Sequence, residues 1–171
     1  SSAASDVYKR QAFGACQDVT LEYPVAENEG EEDNTYLSYN MVVGNAADSQ
    51  MAMAFEVLDY ALLSAPGAPL KQALLDVKAG KDVYGSYDDG ILQPYFTVIA
   101  KGSNPDRKEE FVSVIRQVLG DIVKNGIDKK AVEAGINYFE FRYREADFSS
   151  YPKGLMYSLD TVSYTHLTLP T

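Results

Sequence analysis

The sequence predicts an α+β protein: a two-layer sandwich in the order strand-helix-strand-strand-helix-helix, with a mainly antiparallel sheet and its helices on one face. Three observations predict it. Apolar and polar residues alternate over TYLSYNMVV (35–43) and through much of KDVYGSYDDGILQPYFTVIA (81–100), which is the period of strands. Three other stretches repeat apolar residues at i, i+4, i+7 and i+11, the period of amphipathic helices. Pro66, Gly67 and Pro69 punctuate the chain between the first such helix and the paired strands, because proline can neither donate a helical hydrogen bond nor avoid the preceding turn.

The elements follow in order. QDVTLEYPV alternates at Val19, Leu21 and Tyr23 and reads as a short strand or extended arm, ended by Pro24. ENEGEED (27–33) carries five acidic groups in seven residues and is expected to be a solvated loop or linker. The first strand sets Leu37, Tyr39, Met41 and Val43 against Tyr36, Ser38 and Asn40. Asp48 is placed to cap a helix whose stripe is Met51, Phe55, Leu58 and Leu62. Pro69 opens a short helix with Leu70, Leu74 and Val77 inward, ended by Gly80.

A turn at Asp88-Asp89-Gly90, with Gly90 at positive φ, is expected to join the next two strands. The second of them sets Leu92, Phe96, Val98 and Ala100 against Gln93, Tyr95 and Thr97, and Pro94 suggests an edge or bulge. Asn104 and Pro105 form a helix start, with Phe111, Ile115, Val118 and Ile122 as the stripe and Asn125-Gly126 as the stop. Asp128 caps the last long helix, with Val132, Ile136, Phe139 and Tyr143 inward and Glu140 four residues before Arg144. Residues 149–153 break it, and GLMYSLDT reads as a further helix cut short.

Ser1–Gln11 and Val162–Thr171 resemble translated sequencing-adapter tails and are expected to lie outside the fold. That leaves an arm and acidic linker at 12–34 and a single domain at 35–161, truncated at its C-terminal end. On this reading the chain is an internal fragment of a larger protein, and the compartment stays open, with the cytoplasm favoured.

Composition narrows the function. The chain has 46% hydrophobic and 23% charged residues and a formal net charge of −10. That charge opposes a phosphate backbone and an anionic bilayer surface, so neither nucleic acid nor membrane is an expected partner. The single cysteine, Cys16, excludes an internal disulfide, and the single histidine, His166, sits in the second tail. There is no phosphate-cradling glycine loop, no Cys/His cluster and no G-x-S-x-G elbow. Asp88 and Asp89 are better explained as turn residues than as an acid-base pair, and Glu133, Glu140 and Glu145 as a solvated helix face. No catalytic and no metal-binding residue is therefore assigned.

One candidate surface remains. Strand alternation puts Leu37, Tyr39, Met41, Leu92, Phe96 and Val98 under the helices and Tyr36, Ser38, Asn40, Gln93, Tyr95 and Thr97 on the opposite face. A solvated face more usually carries lysine and glutamate. Tyrosine and amides offer apolar area and hydrogen bonds together, so these six are the candidates for peptide contact.

LDYALLSAPGAPLKQALLDVKAGKDVYGSYDDGILQPYFTVIAKG, followed by DRKEEFVSVIRQVLGDIVKNGIDKKAVEAGINYFEFRYRE, resembles the second domain of presequence-protease-type zinc metallopeptidases of the insulinase and pitrilysin superfamily. The resemblance covers about Asp18 to Thr161. It implies the same fold, a larger enzyme of four such units closing around an unfolded peptide substrate, and the other domains of the same polypeptide as partners. It places zinc and an inverted His-x-x-Glu-His motif in the first unit. Nothing here matches that motif, so no cofactor is expected in this segment and zinc only in the full-length enzyme. A catalytically silent structural or assembly homologue of the same fold, or a free-standing small-ligand-binding α+β module, are the other readings.

Overall fold

A computed structural model describes residues 14–26, 30, 32–45, 48–91, 93–145, 152, 154–156 and 158–159. Both proposed tails, most of the acidic run, Leu92 and residues 149–151 and 153 lie outside the described residues. The elements are β1 (Thr35–Val42), α1 (Ser49–Asp59) continuing into a π-helical turn (Tyr60–Ser64), α2 (Pro69–Asp76), β2 (Asp82–Asp88), β3 (Tyr95–Ser103), a 3-10 turn (Pro105–Arg107), α3 (Lys108–Asn125) and α4 (Lys129–Glu145). Residues 154–156 and 158–159 are helical. The arm around Val19–Tyr23 takes no regular secondary structure and pairs with no strand.

The described strands form one antiparallel sheet in the order β1-β3-β2. β3 is therefore the central strand, and the edge expected from Pro94 is not where that residue sits. Pro94 lies one residue before β3, so its missing N–H removes no bond from that strand; it is fully buried, and its carbonyl accepts from Val43 N (2.9 Å). An irregularity does occur at the other end: the register slips by one residue between Leu37↔Ala100 and Thr35↔Ser103, where Gly102 takes φ +68°.

Phe96, Val98 and Ala100 of β3, Leu37 of β1 and Val83 of β2 share one face with Leu62, Leu63, Leu70, Leu74, Phe111 and Ile115, and together they form the core. The helices assigned to that face arrive there: α1, the π-turn and α2 pack on β2, α3 packs on β1, and α2 packs on α3. The strand stripes and the α3 stripe are as the alternation predicts, with Val118 and Ile122 half-buried against the core.

Four local expectations change. First, α1 does not run straight on. Ala65 N bonds to Tyr60 O (2.7 Å) across the wider turn, and Ala61, Leu62 and Leu63 are all buried, so this turn is enclosed on every side and a single stripe cannot describe it. Met51, at the other end, stays largely exposed although Asp48 caps the helix by accepting from its N–H (3.0 Å). Second, α2 ends before Gly80. Ala79 N→Leu74 O and Lys78 N→Leu75 O (both 2.9 Å) make a Schellman closure, and it is Lys78 that takes φ +55°. Gly80 is needed for another reason, since a Cβ there would stand 2.7 Å from the Lys101 carbonyl oxygen.

Third, Asn104 does not cap a helix with its side chain. It closes a two-way clamp on Asp33 instead, donating to Oδ1 (2.7 Å) and accepting from Asp33 N (2.9 Å), which ties the linker to the end of β3. Fourth, α4 lies on α1 and the π-turn, rotated from the expected stripe: Gly135 is its buried residue, and Ile136 and Tyr143 are about half exposed. The contact is made by close approach. A Cβ on Gly135 would stand 3.2 Å from both Val57 Cγ1 and Tyr60 Cδ1, and Tyr138 stacks on Tyr60 with ring centroids 4.9 Å apart. A count of bulky apolar residues gives glycine no weight, so the true contact stripe is invisible to it.

Candidate functional site

The sheet face opposite the core carries no helix among the described residues, and its side chains fall in cross-strand rows set by the register. Val42, Tyr95 and Asp88 form one row, then Asn40, Thr97 and Ser86, then Ser38, Ile99 and Tyr84. Tyr36 stands beyond them with Lys101 Nζ over its ring, 5.9 Å from the centroid. Five of the six candidates share this face. Gln93 does not, because it lies in the loop before β3, a loop longer than the tight turn expected at Asp88-Asp89-Gly90. Gly90 keeps out of positive φ, and its N–H bonds to Asp88 Oδ1 (3.0 Å) instead.

The five are not equally available. Thr97 is only 5% exposed and works from below: its Oγ1 donates to Asn40 Oδ1 (2.8 Å), and Asn40 Nδ2 donates to Ser38 Oγ (3.0 Å). This chain of bonds fixes which way the Asn40 amide points. Tyr95 donates its hydroxyl to Asp88 Oδ2 (3.0 Å), and that bond, with the carboxylate's charge, holds its phenol above the usual range. The accessible groups are Tyr36, Ser38 and Asn40 from the sequence reading, joined by Tyr84 and Val42. Tyr84 was legible in principle, since it alternates with Val83. The Gly85-Ser86 pair that follows obscures the apolar period on which such an assignment rests.

Among the described residues no three His, Cys, Asp or Glu side chains gather to hold a metal ion. The strongest carboxyl perturbation lies on the core side. Asp59 ends α1 over β2, its Oδ1 buried without a hydrogen-bond partner among the described residues, and burial pushes its pKa up to about 6. Burial also raises Glu56, against the opposing hydrogen bond from the Tyr143 hydroxyl (2.8 Å), and the Tyr143 phenol is pushed up to about 12 by burial and that same partner.

The sign of the linkage follows. Asp59 holds a proton in the folded state across a window from about 3.8 to about 6, where the unfolded chain has released it, so folding stability falls as pH rises through that window. Asp33 and Asp82 are lowered, the first mainly by Asn104 and the second mainly by Lys71, and give the opposite slope below it. Asp59→Asn is therefore expected to flatten the decline between about pH 4 and about pH 6, Glu56 keeping a remainder, as read from urea midpoints at both ends of the window. A variant with the parent's slope would remove Asp59 as its source.

Comparison with known proteins gives this geometry a context. Residues 8–139 match the family described as Peptidase M16 inactive domain. Protein HypA of Clostridium perfringens is 41% identical over 155 residues, covering 91% of this chain and 16% of HypA. Presequence protease 1, chloroplastic/mitochondrial, of Arabidopsis thaliana is 33% identical over 117 residues, covering 68% of this chain and 11% of that protein. The chain thus spans a small fraction of the curated relatives it matches. In fold it is similar to the crystal structure of an inactive peptidase domain from Bordetella parapertussis, with a TM-score of 0.63 at 12% identity, covering 77% of this chain and 73% of that one. The sandwich and the family match over most of the sequence agree: this chain belongs to the inactive-domain family of the M16 peptidases.

Proposed function

We propose that this chain is a non-catalytic wall domain of a larger zinc metallopeptidase that degrades unfolded peptides, and that the open face of its sheet contacts the peptide away from the scissile bond. The observation that carries the reading is the face itself: Tyr36, Ser38 and Asn40 of β1 and Tyr84 of β2 are exposed on a sheet whose other side packs against the helices. Such a surface offers varied peptides apolar area and hydrogen bonds at low entropic cost. The likeness to presequence protease 1 supports the substrate class.

The residues of this chain do not fit a catalytic zinc, which takes three protein ligands and a water. The sequence has one histidine and one cysteine, and no cluster of carboxylates makes up the set among the described residues. Zinc and the water it activates would come from another domain of the same polypeptide, and this domain's part is to bind and orient.

The test uses the full-length enzyme. Tyr36→Ala combined with Tyr84→Ala is expected to raise KM by about fivefold or more with kcat little changed, the pattern of binding shared by ground and transition states. An unchanged KM in a folded double variant would remove this face from the substrate path.

A further inference from the structure

The arm before β1, Asp18 to Ala26, takes no helix, strand or turn, and among the described residues no backbone hydrogen bond ties it to the sheet. Its apolar residues nevertheless keep a strand's period. Val19, Leu21, Tyr23 and Val25 occupy alternate positions, and they are 70%, 85%, 49% and 38% exposed. The arm is pinned at both ends. Asp18 pairs with Lys108 at the start of α3, while Tyr23 packs edge-on against Tyr36 (5.9 Å between centroids) and donates its hydroxyl to the Asn34 carbonyl. A pinned segment with unpaired backbone groups and apolar residues at alternate positions has already met part of the ordering cost of β pairing. Only a second strand is missing.

We infer that this arm is a strand in an inter-domain sheet: it adds to the edge of a neighbouring domain of the same polypeptide, which covers Val19 and Leu21. This rests on the multidomain reading above. Two findings favour that occupant. The family match starts at residue 8 and includes the whole arm, so the arm belongs to the domain's own pattern. The matched segment is only 16% of HypA, so most of a relative's length lies outside it and can supply the edge. Pro24 has no N–H to give, which limits full pairing to the stretch from Asp18 to Tyr23, and that stretch holds the arm's two most exposed apolar residues, Val19 and Leu21.

Hydrogen exchange on the full-length protein tests it directly. The amides of residues 19–23 are expected to exchange at least about a hundredfold more slowly than unstructured peptide. Leu21→Asp should abolish that protection while Val98 and Ala100 keep theirs. Leu21→benzoylphenylalanine, photoactivated, should link to another domain of the same molecule. Free exchange of the arm overturns the proposal. So does a link confined to residues 1–171, or a link to a second copy that disappears on dilution. The two readings fail separately: an undocked arm in an enzyme whose KM responds to Tyr36→Ala and Tyr84→Ala leaves the peptide-contact reading standing, and a docked arm with an unresponsive KM leaves only the docking.

Discussion

Phe111→Ala is expected to cost the fold about 3 to 5 kcal/mol, a loss of about a fifth or more of the stability of an ordinary domain. Phe111 is 1% exposed and lies in the first full turn of α3, in the same cluster as Leu70 and Leu74 of α2 and Leu37, Phe96 and Val98 of the sheet. It is where three layers of contact meet. Removing the ring loses its transfer free energy and leaves a cavity that two helices and a sheet edge cannot collapse together. The measurement is a denaturant titration in which the midpoint falls and the slope holds, so that the change is one of stability and not of the denatured state. A loss under about 1 kcal/mol would place the ring outside the core.

Phe111 also shows what made the fold legible. Its stripe with Ile115, Val118 and Ile122 is a simple helical period of bulky residues, and burial follows it closely. The same holds for Leu37, Phe96 and Val98 in the strands. Where the sequence reading went astray, packing was governed by something other than bulk. α4 meets α1 through Gly135, which no apolar count registers. The π-turn buries Ala61, Leu62 and Leu63 together because it is surrounded, a tertiary circumstance absent from local periodicity. Asn104 looks like a cap because asparagine before proline usually is one, but Asp33 offers it a two-point partner seventy-one residues away.

The candidate face was legible to the same extent. Alternation in β1 and β3 put Tyr36, Ser38, Asn40, Tyr95 and Thr97 on one side correctly, since a two-residue period leaves no freedom once one face is buried. It could not say that Thr97 is covered while its neighbour Asn40 is open, because that depends on the strand order. β3 is central, and β1 and β2 shield it from both sides.

The end of α1 and the π-turn pack closely on the sheet, and Gly85 is the residue that permits it. A Cβ built at Gly85 would overlap Asp59 Oδ1 and Leu63 Cδ1 and stand 3.1 Å from the Thr97 carbonyl oxygen. Gly85 is not there for its backbone freedom, as it does not take positive φ; it is there for its missing side chain. Gly85→Ala is expected to destabilise the fold by about 2 to 3 kcal/mol, the cost of forcing a methyl into a filled core. Leu63 is 1% exposed and has nowhere to retreat, and the Asp59 carboxylate would have to swing away from β2. The mechanism can be separated from any strand-propensity effect, which would favour alanine over glycine. Leu63→Ala alone should cost about 2 to 5 kcal/mol by leaving a cavity, but in that background the Gly85 methyl no longer meets Leu63 Cδ1 and has only Asp59 Oδ1 and the Thr97 carbonyl left to displace. The double variant is therefore expected to be more stable than the sum of the two losses predicts, by about 1 kcal/mol or more, in a double-mutant cycle read by urea unfolding. Strict additivity would mean that Gly85 and Leu63 do not compete for the same space, and that the tightness of this contact has another origin.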